Sequence, residues 1–370
     1  YQIHKFYYLW WKNIDKTLFL LIIFLFSLGL FFSLVSTSLV ASDKLDTNNY
    51  FFFFRHLGYI GIGIIVLIFF SSLSNKNLFK FSIYLFFILI FFLFLVPILG
   101  TEVKGSKRWL NLFFLPSFQP IEVVKPFTII FIATILSSEK ISNINFKYFL
   151  SFVVILPIAF LLIMQPDIGQ TLLIFSSWFA LVFISGLSLL AIFTFSSIAL
   201  LFLFYMIFFI PKFVYIKNRI LSFFDQGNGT HNFQSEKAIE AITSGGFFGK
   251  GIGEGTLKNR VPEAHTDYIV SVISEEFGVV VIILLLILFL LFIYTVFKKI
   301  YLEENEKTKL VLVGTITLII SQALIHLGVN IRLFPTTGMT LPFLSYGGSS
   351  IIGVSIISGI ILNLTKRKVN

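Results

Sequence analysis

GGFFGKGIGEGTLKNRVPEAHTDYIVSVISEEFG, residues Gly245 to Gly278, is the long polar passage of a chain that is otherwise mostly apolar. Six glycines (Gly245, Gly246, Gly249, Gly251, Gly253 and Gly255) lead to Lys258 and Arg260. Pro262-Glu263-Ala264-His265-Thr266-Asp267 then opens a run that turns apolar within a few residues. Proline suits the turn before a helix, and Thr or Asp suits its start. The spacing therefore predicts a helix beginning at Asp267, at the foot of a flexible, basic loop. Two nucleotide readings are excluded. GKGIGEG is not a G-x-G-x-x-G after a strand, and no Ser or Thr follows Gly249-Lys250 as a P-loop requires. Taken alone, Asp267 is more often a helix cap than a reactive group. However, Asp267, Ser271, Ser274, Glu275 and Gly278 share one helical face. A polar stripe entering a membrane helix must meet a cavity or a partner rather than lipid.

The apolar remainder sets the class. Of 370 residues, 57% are hydrophobic and 12% charged, which is the composition of an integral membrane protein. No cysteine is present, so disulfides and thiolate metal sites are excluded. The net charge of +10 is read as inward-facing loops and anionic headgroups, with no nucleic acid partner. The first apolar run is too long, and lacks the small-residue site, for a cleavable signal peptide.

Ten helices are expected, each able to satisfy its own backbone in lipid. The runs are Thr17–Ser42, His56–Asn75, Phe81–Thr101, a fourth from the QPIE motif to about Ser138, and a fifth to about Met164. Two more follow, divided at Ser185–Ser188 and ending near Pro211. The last three are Asp267–Phe297, Leu310–Asn330 and a tenth to about Leu364. The expected fold is thus an all-α integral membrane protein, a single polytopic unit over 1–370. Its large extracytoplasmic loop, about 212–266, lies between helices 7 and 8. Lys and Arg crowd the loops on the side of the termini, which places both termini in the cytoplasm. The motifs then gather on the outer face.

Several polar residues stand out there. Lys104, Lys107, Arg108 and Trp109 precede the fourth helix, and Glu122 and Lys125 lie three apart where it begins. An interfacial anchor loop is the plain reading of the first group; ionisable residues at membrane depth are functional candidates. Gln322, His326 and Asn330 recur every four residues on helix nine, where His326 is assigned packing or hydrogen bonding first.

VKGSKRWL, QPIEVVKP, QPDIGQ, SGGFFGKGIGEGTLK, VPEAHTDYI, SEEFG and TTGMTLPFLSYGGSS occur in one order over nearly the whole chain. Together they resemble the SEDS family, the group of FtsW, RodA and their sporulation relatives. GEGTLK and TGMTLPF resemble the FtsW branch more than the RodA branch. Ile121 departs from the small residue usual in the QPSE or QPAE motif. The resemblance implies a glycosyltransferase that polymerises lipid II into peptidoglycan at the division septum of the bacterial cytoplasmic membrane. It also implies partnership with a class B penicillin-binding transpeptidase and other divisome membrane proteins. Asp267 would be the catalytic aspartate, with Trp109, Glu122 and Lys125 lining the adjoining cavity.

The chemistry of such a reaction needs one base and one sink for anionic charge. A pyrophosphate leaves without protonation, so a single carboxylate can take the proton of the attacking hydroxyl. Lys104, Lys107, Arg108, Lys258 and Arg260 are the expected stabilisers of the pyrophosphate, with His265 beside the substrate. Gln165, Asp167, Ser271, Glu275, His326 and Ser345 are expected to line the cavity. No cofactor is required; a divalent cation, Mg or Mn, is an alternative counter-charge. The rival readings are a lipid II flippase, an elongation polymerase of the same chemistry, and a non-catalytic division scaffold, which would not need Asp267.

Overall fold

The structure, a computed structural model, describes residues 2–36, 50–103, 106–111, 117–224, 230–257 and 261–366. Four helices open the described chain: α1 (Gln2–Asn13), α2 (Lys16–Ser36), α3 (Phe51–Ser72) and α4 (Asn75–Leu99). A short hairpin follows, β1 (Thr101–Val103) antiparallel to β2 (Ser106–Trp109). Then come α5 (Pro120–Leu136), α6 (Ile144–Met164), α7 (Ile168–Ile184) and α8 (Leu189–Phe209). A 3₁₀ turn (Pro211–Phe213), α9 (Val214–Phe224) and α10 (Thr230–Gly245) occupy the expected large loop. The chain ends with α11 (Ile269–Leu302), α12 (Glu306–Asn330) and α13 (Gly348–Leu364).

The helix starts follow from local chemistry. Ser74, Asn143, Asp167, Ser188 and Asn305 each accept a backbone N–H at the head of the helix that follows, which satisfies donors the helix itself leaves open. Among the described residues, seven helices are long and apolar enough to cross a membrane, and α7 and α13 are shorter apolar helices. The fold is all-α apart from the hairpin, and the chain is a multi-pass membrane protein.

Small residues set the packing where lipid cannot drive helices together. A Cβ at Gly63 of α3 would lie 2.5 Å from Ser355 Oγ of α13, and one at Gly353 would lie 2.5 Å from the Glu122 carbonyl. So α13 is pressed between α3 and α5, with all but a few of its residues buried. At one end of the bundle Trp10 Nε1 donates to Ser71 Oγ (3.0 Å) and Asp15 pairs with Lys299 (2.7 Å). Lys366 Nζ reaches the Leu73 carbonyl at the same end. Both ends of the described chain therefore lie together, opposite the starts of α3, α5, α7, α11 and α13.

Three local expectations are corrected. The passage 212–266 is not a bare loop but carries α9 and α10. The eighth apolar helix starts at Ile269 rather than Asp267 and is broken at Gly278 (φ 79°, ψ 179°). The glycine-rich segment is also not a free loop. Val279 and Val280 N–H donate to the Gly246 and Phe247 carbonyls, while Lys250 and Gly251 N–H donate to the Glu275 and Glu276 carbonyls. The segment supplies partners for the groups that the break strands.

Candidate functional site

The turn before α11 is built by one carbonyl. Glu263 takes a positive φ of 56°, and its C=O accepts N–H groups from Thr266, Asp267 and Tyr268. The next three carbonyls are then held from outside. Tyr346 N–H donates to His265 O (3.0 Å), Ser345 Oγ–H to Thr266 O (2.7 Å), and Asn330 Nδ2–H to Asp267 O (3.1 Å). Asp267 is thus fixed through its backbone by both the TTGMTLPFLSYGG segment and α12. It is not the cap: the N-cap of α11 is Tyr268, with no side-chain capping bond. Burial, with the Asp267 charge next to it, pushes the Tyr268 hydroxyl up.

Asp267 lies on the wall of a cavity of about 530 Å³. Arg108, Trp109 and Glu122 line the same cavity. Gly338 marks where two of these meet: a Cβ there would lie 3.6 Å from Arg108 Nη1 and 3.6 Å from Asp267 Oδ2. The positive φ of Gly338 (73°) suits glycine, and the missing side chain leaves cation and carboxylate facing one shared space. Arg108 is aimed from behind. Its Nε donates to Gln165 O (3.3 Å), its Nη2 donates to Pro166 O, and Asp167 pairs with it at 3.6 Å. Burial pushes the Asp167 carboxyl up, and the Arg108 guanidinium and the Gln170 N–H pull it back.

The floor is a buried polar chain. Glu122 pairs with Lys125 Nζ at 2.9 Å and accepts from Gln170 Nε2. Lys125 donates to Gln322 Oε1 (3.3 Å), and Gln322 Nε2 donates to Thr340 O (3.0 Å). Thr340 Oγ1 shares a hydrogen bond with Ser350 Oγ, and both line the cavity. Glu122 and Lys125 are 4% and 1% exposed, so each charge depends on the other.

The remaining expected residues divide. Lys104, Lys258 and Arg260 lie outside the described residues. Lys107 stands opposite Glu102 on the hairpin and is exposed, and it is not part of the cavity wall. Lys125 and His265 also lie off the wall; the His265 ring packs on Phe52 and Tyr346 instead. Gln165, Asp167, Ser271, Glu275, His326 and Ser345 are not on the wall of this cavity. Gln165, Asp167 and Ser345 sit behind it and hold Arg108 and the Asp267 turn. Ser271 bonds Tyr268 O and Asn330, and His326 Nδ1 bonds Met339 O. Glu275 accepts Leu257 N–H (2.8 Å) and Lys250 (3.5 Å), so it anchors the glycine-rich segment.

Sequence reasoning passed over Arg55, Tyr59, Gln119 and Tyr346 on the wall, and Asn330 as the holder of Asp267. Arg55 as the lone cation at the head of an apolar run was the signal available. Among the described residues no three His, Asp or Glu side chains group at a metal-holding distance.

The comparisons bear on this arrangement directly. The family described as cell cycle protein, covering FtsW, RodA and SpoVE, matches residues 16–370. The chain belongs to this family. A probable peptidoglycan glycosyltransferase FtsW of Caulobacter vibrioides is 32% identical over 97% of this chain and 91% of its own. One from Nitrosomonas europaea is 33% identical over 95% and 92%. Among solved structures, a chain from a study of polymerization and crosslinking by a peptidoglycan synthase complex superposes with a TM-score of 0.77. It is 27% identical and covers 95% of this chain and 97% of its own. The rod shape determining protein RodA of Thermus thermophilus has a TM-score of 0.69 and 27% identity, covering 95% and 96%. FtsW/RodA/SpoVE membership thus extends over the whole site, from the hairpin to α13.

Proposed function

We propose that this chain is a peptidoglycan glycosyltransferase that polymerises lipid II, with Asp267 as general base. The observation that carries the reading is the convergence of Asp267 Oδ2 and Arg108 Nη1 on the side-chain-free space at Gly338. In that space the Asp267 carboxylate takes the proton of the acceptor sugar hydroxyl as its oxygen attacks the donor anomeric carbon. The glycosidic C–O bond to the donor pyrophosphate breaks, and the pyrophosphate leaves as an anion beside Arg108. A single displacement from an α-linked donor gives a β-linked product. The two-carboxylate scheme of glycoside hydrolases is not needed, and Glu122 is already held by Lys125. Mg or Mn beside the pyrophosphate would be a further counter-charge.

The FtsW relatives and the peptidoglycan synthase complex support a septal role beside a class B transpeptidase and other divisome proteins. A single polytopic domain with ten crossings and the cavity outside fits the helices, α5 with its Glu122–Lys125 pair completing the set. The test is the purified chain given lipid II, with and without its transpeptidase partner. Glycan polymer from the parent and none from Asp267→Asn supports the reading. Equal polymer from both removes Asp267 as the base.

A further inference from the structure

The loop that completes α11 carries a feature that catalysis does not use. Phe247, Phe248 and Ile252 are 75%, 84% and 65% exposed, on a segment whose backbone is stitched into the break of α11. Their level along the helix can be read from α11 itself. From Ile269 to Gly278 nearly every residue is buried on all sides by protein. From Val279 onward the cover ends, and Val279, Val280, Ile283 and Leu284 are exposed. The charge-free run from Val279 to Phe297 then rises roughly 28 Å, close to the hydrocarbon thickness of about 30 Å, before Lys298 and Lys299. Gly278 therefore sits at one edge of the apolar layer and the lysine pair at the other.

Phe247 O accepts from Val280 N–H, so the loop is level with the first lipid-facing turn. A Cβ at Gly249 or Gly278 would strike the opposing backbone at 2.2 Å, so the two strands of chain lie in contact. Three large apolar side chains are thus exposed at that level. We propose that Phe247, Phe248 and Ile252 insert into the headgroup–acyl boundary and anchor the cavity at a fixed height over the membrane. The occupant of this patch is the lipid surface. The patch is joined by backbone bonds to Val279 and Val280, the first exposed turn of α11, and exposed apolar area of this kind favours being covered. Asp267 lies roughly 15 Å above this level along the helix axis, at 1.5 Å per residue. The anchor would thus set how far a lipid-linked sugar must stand from the bilayer to reach it. The inference concerns membrane contact and holds whether or not Asp267 is the base.

The chain has no cysteine, so Phe248→Cys gives a single thiol for an environment-sensitive fluorophore. The full chain is placed in vesicles of phosphatidylcholine and phosphatidylglycerol, with nitroxide lipids labelled high or low on the acyl chain. A matched Glu240→Cys protein carries the probe on α10, above the loop. The expected result is loss of most of the Phe248→Cys fluorescence with the high nitroxide, less with the deep one, and little change at Glu240→Cys. Phe247→Cys repeats the measurement if the first variant accumulates poorly. Quenching at the loop no greater than at Glu240→Cys would overturn the proposal and leave the patch to a protein partner.

Discussion

The backbone on both sides of Asp267 is held by Glu263 and Asn330, which makes the effects of substitution separable. Asp267→Asn keeps every backbone bond to Glu263 and Asn330 and removes the carboxylate proposed as proton acceptor. Loss of a general base costs about 10²–10⁴-fold in rate, so glycan synthesis should fall that far while thermal stability stays near the parent. Asn330→Ala acts differently. It strips the donor from Asp267 O and one of two acceptors from Ser271 N–H, which keeps Tyr268 O. A buried group left unpaired costs about 1–3 kcal/mol. Both stability and turnover should therefore drop, with Asn330→Ser restoring part of the former. A fall in turnover for Asn330→Ala with no change in melting temperature would contradict this double role. Lys125→Met leaves Glu122 as a buried unpaired charge, which costs about 3–5 kcal/mol. Adding Glu122→Gln to that variant should recover much of the melting temperature, and failure to recover would show that the pair is not what Lys125 stabilises.

At the scale of elements, the broken helix α11 is the fold's most demanding local structure. Gly278 has φ 79° and ψ 179°, a region open in practice to glycine alone, where other residues cost about 1–3 kcal/mol. A Cβ there would also lie 2.2 Å from Phe247 O. Gly278→Ala should therefore release the loop, lower the melting temperature and expose residues 246–257 to protease, whereas Gly58→Ala, with open space around it, should do neither. Protease resistance equal to the parent would mean that the splice does not depend on Gly278. This element also shows what a sequence can and cannot disclose. The apolar runs were legible because their signals are local; the caps Ser74, Asn143 and Asn305 carry equally local signals that were not read. The roles of the glycines were not legible. Gly245 and Gly249 are small because the backbone of Ser274 and Glu276 passes against them, a contact between segments about 30 residues apart. Glu275 read as a member of a polar stripe facing a cavity, and spacing alone could not show that loop N–H groups reach it and the neighbouring Glu276. Asp267, Arg108, Trp109 and Glu122, candidates from the sequence, line one cavity, and they come from the end of β2, the start of α5 and the turn before α11. Asn330 was seen as part of a helical stripe, but its bond to the Asp267 carbonyl joins two helices at a level that periodicity does not fix.

For the whole molecule, the arrangement of ends carries the orientation. Trp10, Asp15, Leu73, Lys299 and Lys366 meet at one end of the bundle, and the cavity opens among the helix starts at the other. The first end collects Lys12, Lys16, Lys76, Lys80, Lys298, Lys299, Lys307 and Lys309. An excess of Lys and Arg on short loops marks the cytoplasmic side. In the orientation proposed on this ground, the cavity end faces outward, the side on which the proposed polymerisation of a lipid-linked sugar would take place. The basic residues of 212–266 run against the trend, and their charge is read as serving an anionic substrate rather than orientation. In intact spheroplasts an impermeant thiol reagent should label Glu240→Cys readily and Asn305→Cys only after permeabilisation. Both positions are exposed, so accessibility within the protein does not confuse the comparison. Labelling of Asn305→Cys in intact cells, with Glu240→Cys protected, would invert the molecule and place the Asp267 cavity in the cytoplasm. Glycan synthesis at the surface would then be impossible for this chain, whatever the chemistry of its site.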